Sequence, residues 1–257
     1  MADKKLALAR KIDLVSRTAW SAVEEEDYDN WLLRFACGYT KRSNSVYPVG
    51  DGLLPDSKKI QYCQEKYHRR KQDCIFRLSE LDSRPDLDHI LAGLNYYYHD
   101  LANVMYLPQI KIASHTDTSG RLEEISLSDW LKLYTAYAEY SQQYILQMQP
   151  LLAKISSQAV FYAYMIDEKF VSCAIGIASQ DFFGVFAMIT DPKRRLEGFA
   201  KALLMHLLTN QFSRETRYAY LQVAQNNLPA ISLYRQVGFK TLYTYWYRVL
   251  TYSSDLK

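Results

Sequence analysis

The chain has 257 residues, about half of them apolar, and a formal net charge of +3. That length bounds it to one large domain or two small ones, with enough apolar material for a core. So weak a charge argues against neutralisation of many phosphates, and no apolar run approaches membrane-spanning length, so nucleic acid and membrane are not expected partners. In chain order, helical periodicity covers residues 12–26, and residues 31–39 (WLLRFACGY) read as a strand followed by the polar loop TKRSNSVYPVGDG. A polar helix over 57–71, a short strand over 74–78, a helix over 87–94 and a strand over 103–112 complete the first half. Residues 114–120, SHTDTSG, read as a linker. They divide the chain into an N-terminal α/β domain over 1–118 and a second domain over 119–257.

The second half opens with a long helix, N-capped by Ser128 with Asp129 in its first turn, which Pro150 should kink or end. Residues 160–166 and 170–178 read as a hairpin around Asp-Glu-Lys, and 182–189 as a third strand. A helix over 198–208, a strand over 218–223, a helix over 227–237 and a strand over 240–249 follow. Asn227 is the expected N-cap of the 227–237 helix, Pro229 fits its first turn, and Gly238 marks its stop. The expected fold class is α/β: a mixed sheet with helices on its faces.

Residues 190–205, TDPKRRLEGFAKALLM, place three cations and a Gly-x-Ala step where a helix begins. A helix N-terminus offers unpaired N–H groups and a partial positive charge, and so binds anions. Gly198 lets the backbone approach an anion closely, and Ala200 has almost no side chain to obstruct it. Arg195 and Lys201 can each add charge-assisted hydrogen bonds of roughly 1.5–3 kcal/mol. The sequence contains neither G-x-x-x-x-G-K-[ST] nor G-x-G-x-x-G, which argues against a P-loop or a Rossmann dinucleotide site.

A second stretch, residues 221–239 (LQVAQNNLPAISLYRQVGF), joins the first. Together they resemble the GCN5-related N-acetyltransferase (GNAT) superfamily over residues of about 120 to 250. The first matches that family's [RQ]-x-x-G-x-[GA] turn through Arg195, Gly198 and Ala200. The second matches its Asn and A-x-x-L-Y-x-x-x-G-F pattern through Asn227, Ala230, Leu233, Tyr234, Gly238 and Phe239. The N-terminal half resembles, less specifically, the leading part of two-part members, and reads as a degenerate copy of the fold with no phosphate loop of its own.

The resemblance implies an acyl-CoA-dependent N-acyltransferase that uses acetyl-CoA and no metal. The acceptor would be the amine of a small molecule, an amino acid or a peptide, reacting by direct attack. The amides of Leu196, Glu197, Gly198, Phe199, Ala200 and Lys201, with Arg195, would cradle the pyrophosphate. Met188, Ile189 and Thr190 would bond the pantetheine arm, with Asn227 beside it, and Tyr234 would be the general acid. Gln222 departs from the family, which often has a Glu base there; Gln can only position a water or the substrate. That departure also supports a second reading, a catalytically silent acyl-CoA-binding module. Arg42 and Asn44, in the loop after the first predicted strand, are candidate acceptor-binding residues; a solvated turn is the alternative. Cys63, His68 and Cys74 lack a zinc spacing, and with no apolar leader segment the four scattered cysteines read as reduced thiols of a cytoplasmic protein.

Overall fold

A computed structural model of the chain describes residues 2–82, 84–109, 120–138, 140–212 and 216–253. The first half runs α1 (Ala2–Ala19), β1 (Glu24–Tyr28), β2 (Trp31–Phe35), β3 (Val46–Pro48), α2 (Asp56–Arg69), β4 (Cys74–Ser79), α3 (Asp86–Gly93) and β5 (Tyr97–Pro108). The second runs β6 (Arg121–Ile125), α4 (Leu127–Ala138), α5 (Gln142–Ile155), β7 (Ala159–Ile166), β8 (Lys169–Ser179), β9 (Phe182–Thr190), α6 (Phe199–Phe212), β10 (Tyr218–Ala224), α7 (Leu228–Val237) and β11 (Lys240–Leu250). The predicted linker falls almost wholly on residues 110–119, outside the described segments.

The eleven strands of the described residues form one mixed sheet, ordered β1-β2-β3-β4-β11-β5-β10-β9-β8-β7-β6. Apart from β6, that order has the same pattern read from either end. In each half two antiparallel pairs lead to one parallel pair, β3 with β4 and β9 with β10. The last strand of each half crosses over. β5 pairs antiparallel with β10, and β11 with β4, while β5 and β11 pair with each other at the centre. Alternation along the strands separates the two faces. Tyr220, Tyr243, Tyr245 and Val104 join one core with α1, α4 and α5 that spans both halves. Leu221, Val223, Met105 and Leu107 face the other way, under α6 and α7, and a third core lies under α2 and α3.

The structure corrects several predicted elements. Glu24–Glu26 belong to a strand, not to the first helix, which ends at Ala19. The acidic run EEEDY offers no apolar helical stripe and instead forms a charged sheet edge, which discourages pairing with other chains. The long helix is two helices. Ser126, not Ser128, caps α4 by accepting from Asp129 N at 3.0 Å, and Ser141 starts α5 by accepting from Tyr144 N. Pro150 does not end the helix but sits inside α5. The carbonyl it leaves unpaired belongs to Leu146, which is solvent-exposed. The predicted Asp-Glu-Lys turn is a two-residue turn, Asp167–Glu168, with both φ positive, and Lys169 is already in β8.

Arg34 on β2 is completely buried and uses its whole guanidinium as a clamp. Nε pairs with Glu25 at 2.9 Å, Nη2 donates to the carbonyls of Arg17 in the last turn of α1 and of Trp20 just after it, and Nη1 donates to Arg42 O. Arg34→Met should therefore lower stability by roughly 3–5 kcal/mol, read as a lower urea midpoint with an unchanged slope, because three main-chain carbonyls lose a charged donor and Glu25 loses its partner.

Candidate functional site

Strands β9 and β10 are parallel and pair only over Phe182–Val185 and Tyr218–Leu221. Beyond that they diverge. β9 stays with β8 as far as Thr190, and β10 stays with β5 as far as Ala224. The divergence coincides with a bulge in β9. A two-residue step along β8, Cys173 to Ile175, faces a three-residue step along β9, Phe186 to Ile189, and Ala187 has a φ of 46°. The result is a wedge between neighbouring strands, with unpaired backbone on both sides. Met188, Ile189 and Thr190 line its β9 edge and are half-buried. Asn227 follows at the end of β10, where its side chain caps α7 by accepting from Ala230 N at 3.3 Å. Gly238 closes that helix with φ 108°, as its spacing predicts.

The predicted anion loop follows β9 directly. Asp191 caps a short 3-10 turn, Pro192–Arg194, and α6 begins at Phe199. Leu196 and Gly198 have φ of 67° and 88°, so the segment enters α6 through left-handed backbone. Nothing lies within 4 Å of where a Gly198 Cβ would sit, and Leu196 is wholly exposed. The first-turn N–H groups of α6 therefore face open space, at the positive end of the helix. Glu197 is the one acid in this cradle, and Arg194 engages it through Nε at 2.9 Å and Nη2 at 2.9 Å. That pairing offsets its charge and leaves Arg195 and Lys201 exposed beside the helix start. An open helix start flanked by exposed cations is the arrangement that favours an anion.

Tyr234 lies on α7 in the core under α6 and α7. Its hydroxyl has no hydrogen-bond partner among the described residues, and burial pushes its pKa up to about 12. Gln222 is on the opposite face of β10, in line with Tyr220. Its Oε1 accepts from the Tyr245 hydroxyl at 2.9 Å, a contact that fixes the amide. Asn44 is used differently from the expectation. Its Oδ1 accepts from Ala36 N and Gly38 N, and its Nδ2 donates to Tyr39 O and Thr40 O. With those four bonds and 5 % exposure it holds the loop shape and has no group left for a substrate. Arg42 is half-buried, with its guanidinium over the Trp20 ring at 5.2 Å. Trp20 in turn stacks on Phe186, the residue before the bulge. Trp20, Ala187, Tyr220 and Tyr245 were not singled out from sequence. They meet only because β5 and α1 are brought against the second half, and no local pattern signals that.

A wedge between parallel strands, with a bulge on one side and a glycine-bearing helix start at its mouth, is the architecture of the GNAT acetyltransferase fold. A GCN5-related N-acetyltransferase from Kribbella flavida superposes with a TM-score of 0.67 at 13 % identity, covering 91 % of each chain. A tandem GNAT protein from the clavulanic acid biosynthesis pathway gives 0.59 at 10 %, covering 82 % of this chain and 76 % of that one. In sequence, the chain is 22 % identical over 244 residues to the uncharacterized N-acetyltransferase YobR of Bacillus subtilis strain 168, covering 93 % of this chain and 98 % of that protein. Residues 7–248 match the family described as "Probable histone acetyltransferase Rv0428c C-terminal", and the chain belongs to that family.

Two stability outcomes follow from these placements. Asn44→Ala should cost at least about 2 kcal/mol in thermal or urea unfolding, because it strands buried main-chain groups. Gly198→Ala should cost only about 1–2 kcal/mol, the strain of a Cβ at positive φ with open space around it.

Proposed function

We propose that the protein is an acyl-CoA-dependent N-acyltransferase that takes acetyl-CoA and a small amine, amino acid or peptide as acceptor. The observation that carries this is the alignment of the β9–β10 wedge with the open cradle at the start of α6. The amides of residues 196–201, with Arg195 and Lys201, hold the pyrophosphate, and the Met188–Thr190 edge takes the pantetheine arm. When bound, the co-substrate supplies an activated thioester. Asn227 caps α7 through its oxygen, which leaves its amide nitrogen available to the pantetheine arm. Tyr234 donates a proton to the departing sulfur. A phenol at about 12 stays protonated across the working pH range, so it remains a competent donor.

Gln222 cannot accept a proton, and its oxygen is already engaged by Tyr245. Making a lysine-like amine neutral at pH 7 costs about 4.6 kcal/mol, whereas an α-amino group costs only about 1 kcal/mol. An acceptor with a low-pKa amine suits this site, and the chain contributes mainly by positioning.

The N-terminal half reads as a degenerate copy whose own cradle is filled. Its β3–α2 loop stands where the β9–α6 loop stands in the second half. There the Asp29 carboxylate accepts from Leu53 N at 2.8 Å and Leu54 N at 2.9 Å, and Lys59 lies 3.5 Å away. Those amides hold the Asp29 carboxyl below the usual range, and a Cβ on Gly52 would run into it. An internal carboxylate takes the place of an external anion, so one acetyl-CoA is bound per chain.

Calorimetry with acetyl-CoA should give micromolar affinity at one site per chain, abolished by Gly198→Glu. Absence of binding by the unmodified protein would refute the reading, and two sites would refute the plugged N-terminal cradle. In a thiol-release assay Tyr234→Phe should lower kcat about 10²–10⁴-fold with little change in acetyl-CoA affinity. The rate of the unmodified enzyme should rise with pH as the acceptor amine loses its proton, and no alkaline fall from Tyr234 should set in below about pH 11.

A further inference from the structure

Arg42 is a cation without a counter-ion. Among the described residues its guanidinium has no hydrogen bond or ion pair, while Lys41 beside it is paired with Asp100 at 2.9 Å and Arg77 nearby is paired with Asp13 at 2.9 Å. Its main chain is held in place, because Arg42 O accepts from Arg34 Nη1 and from the Tyr47 hydroxyl, each at 2.9 Å. The side chain lies over Trp20 at 5.2 Å, and Trp20 stacks on Phe186 with ring centroids 5.2 Å apart. Phe186 meets Tyr220 edge-on at 5.9 Å. Two residues along β10 on the same face is Gln222, bonded to Tyr245. Arg42 thus sits two ring contacts from the bulge, on the face of the wedge opposite α6 and Tyr234. Its positive charge also acts on Tyr39, Tyr144, Tyr220, Tyr245 and Tyr247, phenols that burial keeps neutral. Tyr220 is 1 % exposed, and its hydroxyl has no partner among the described residues.

We propose that Arg42 is the receptor for a carboxylate on the acceptor, so that the amine acetylated here belongs to an anionic molecule. This rests on the acyltransferase reading above and specifies its substrate class. A half-buried guanidinium with free fork donors binds a planar carboxylate bidentately, and the flat Trp20 surface limits how it can turn. The unpartnered Tyr220 hydroxyl on the same face is a further neutral donor. A basic acceptor would meet an uncompensated cation at the same place.

The test uses amines in matched pairs, with and without the carboxylate: amino acids against their decarboxylated amines, and short peptides with an acidic residue near the N-terminus against the corresponding amides. A basic peptide is added as a third class. The full chain, loaded with acetyl-CoA, is assayed for released thiol, and loaded with CoA it is titrated with the same compounds by calorimetry. The carboxylate member of a pair should be preferred by about 10–100-fold in kcat/KM. Arg42→Gln should collapse that ratio through KM, Arg42→Lys should restore part of it, and neither should alter acetyl-CoA affinity or the unfolding midpoint. The better of the amino acid and peptide arms identifies the source of the carboxylate. Equal use of both members of each pair, preference for the basic peptide, or a preference that survives Arg42→Gln would overturn the proposal. If no amine releases thiol, the acyltransferase reading fails. The calorimetric arm then still decides this one: carboxylate-dependent binding lost in Arg42→Gln supports it, and its absence in the unmodified protein overturns it.

Discussion

Strand β5 carries the structure. Its twelve residues come from the first half, yet they lie between β10 and β11 of the second and bond to both. β11 is displaced by this insertion onto β4 of the first half. Each half therefore completes the sheet of the other, and backbone polarity enforces it: without β5, an entire edge of β10 would be left unpaired. The shared core of α1, α4 and α5 over the same face couples the two further. Separating the halves would expose both a sheet edge and a continuous apolar layer.

The wedge exists because of that arrangement. β10 is held straight by β5 on one side, and β9 follows β8 on the other. The extra residue at Ala187 turns β9 away from β10 where the pairing ends. A parallel pair has no hairpin to keep it together, so its ends can part once other partners satisfy the backbone. The first half parts in the same way, its β3 and β4 pairing only at Val46 and Phe76. There the following loop closes on Asp29, whereas in the second half Arg194 draws Glu197 aside and the loop stays open. The two loops thus differ in whether a carboxylate of the chain itself occupies their amides.

Charge is distributed along the same division. Arg34, Lys59 and Arg77 are buried, and each has a carboxylate within 4.0 Å. Such pairs fix one arrangement more than they add stability, since desolvation offsets most of their attraction. Arg42 lies over an aromatic ring as they do, but it has no anion among the described residues, and it lies on the side of the sheet away from α6.

The sequence by itself determined the local pieces. Asn227, Pro229 and Gly238 write the cap, first turn and stop of α7, and Arg195, Gly198 and Ala200 write the loop that enters α6, because such signals act within a few residues. It misplaced boundaries where competing local bonds decide, as with Ser126 over Ser128, and it could not show that Asn44 has all its bonds satisfied at home. Tertiary structure alone decided that β5 enters the second half's sheet, that Tyr245 meets Gln222 and that Arg42 lies over Trp20. Those contacts join residues from 22 to 230 positions apart when the Asp13–Tyr243 bond is counted with them. Hydrogen-bond and packing partners at such separations are chosen by how whole elements stack, which no stretch of neighbouring side chains encodes.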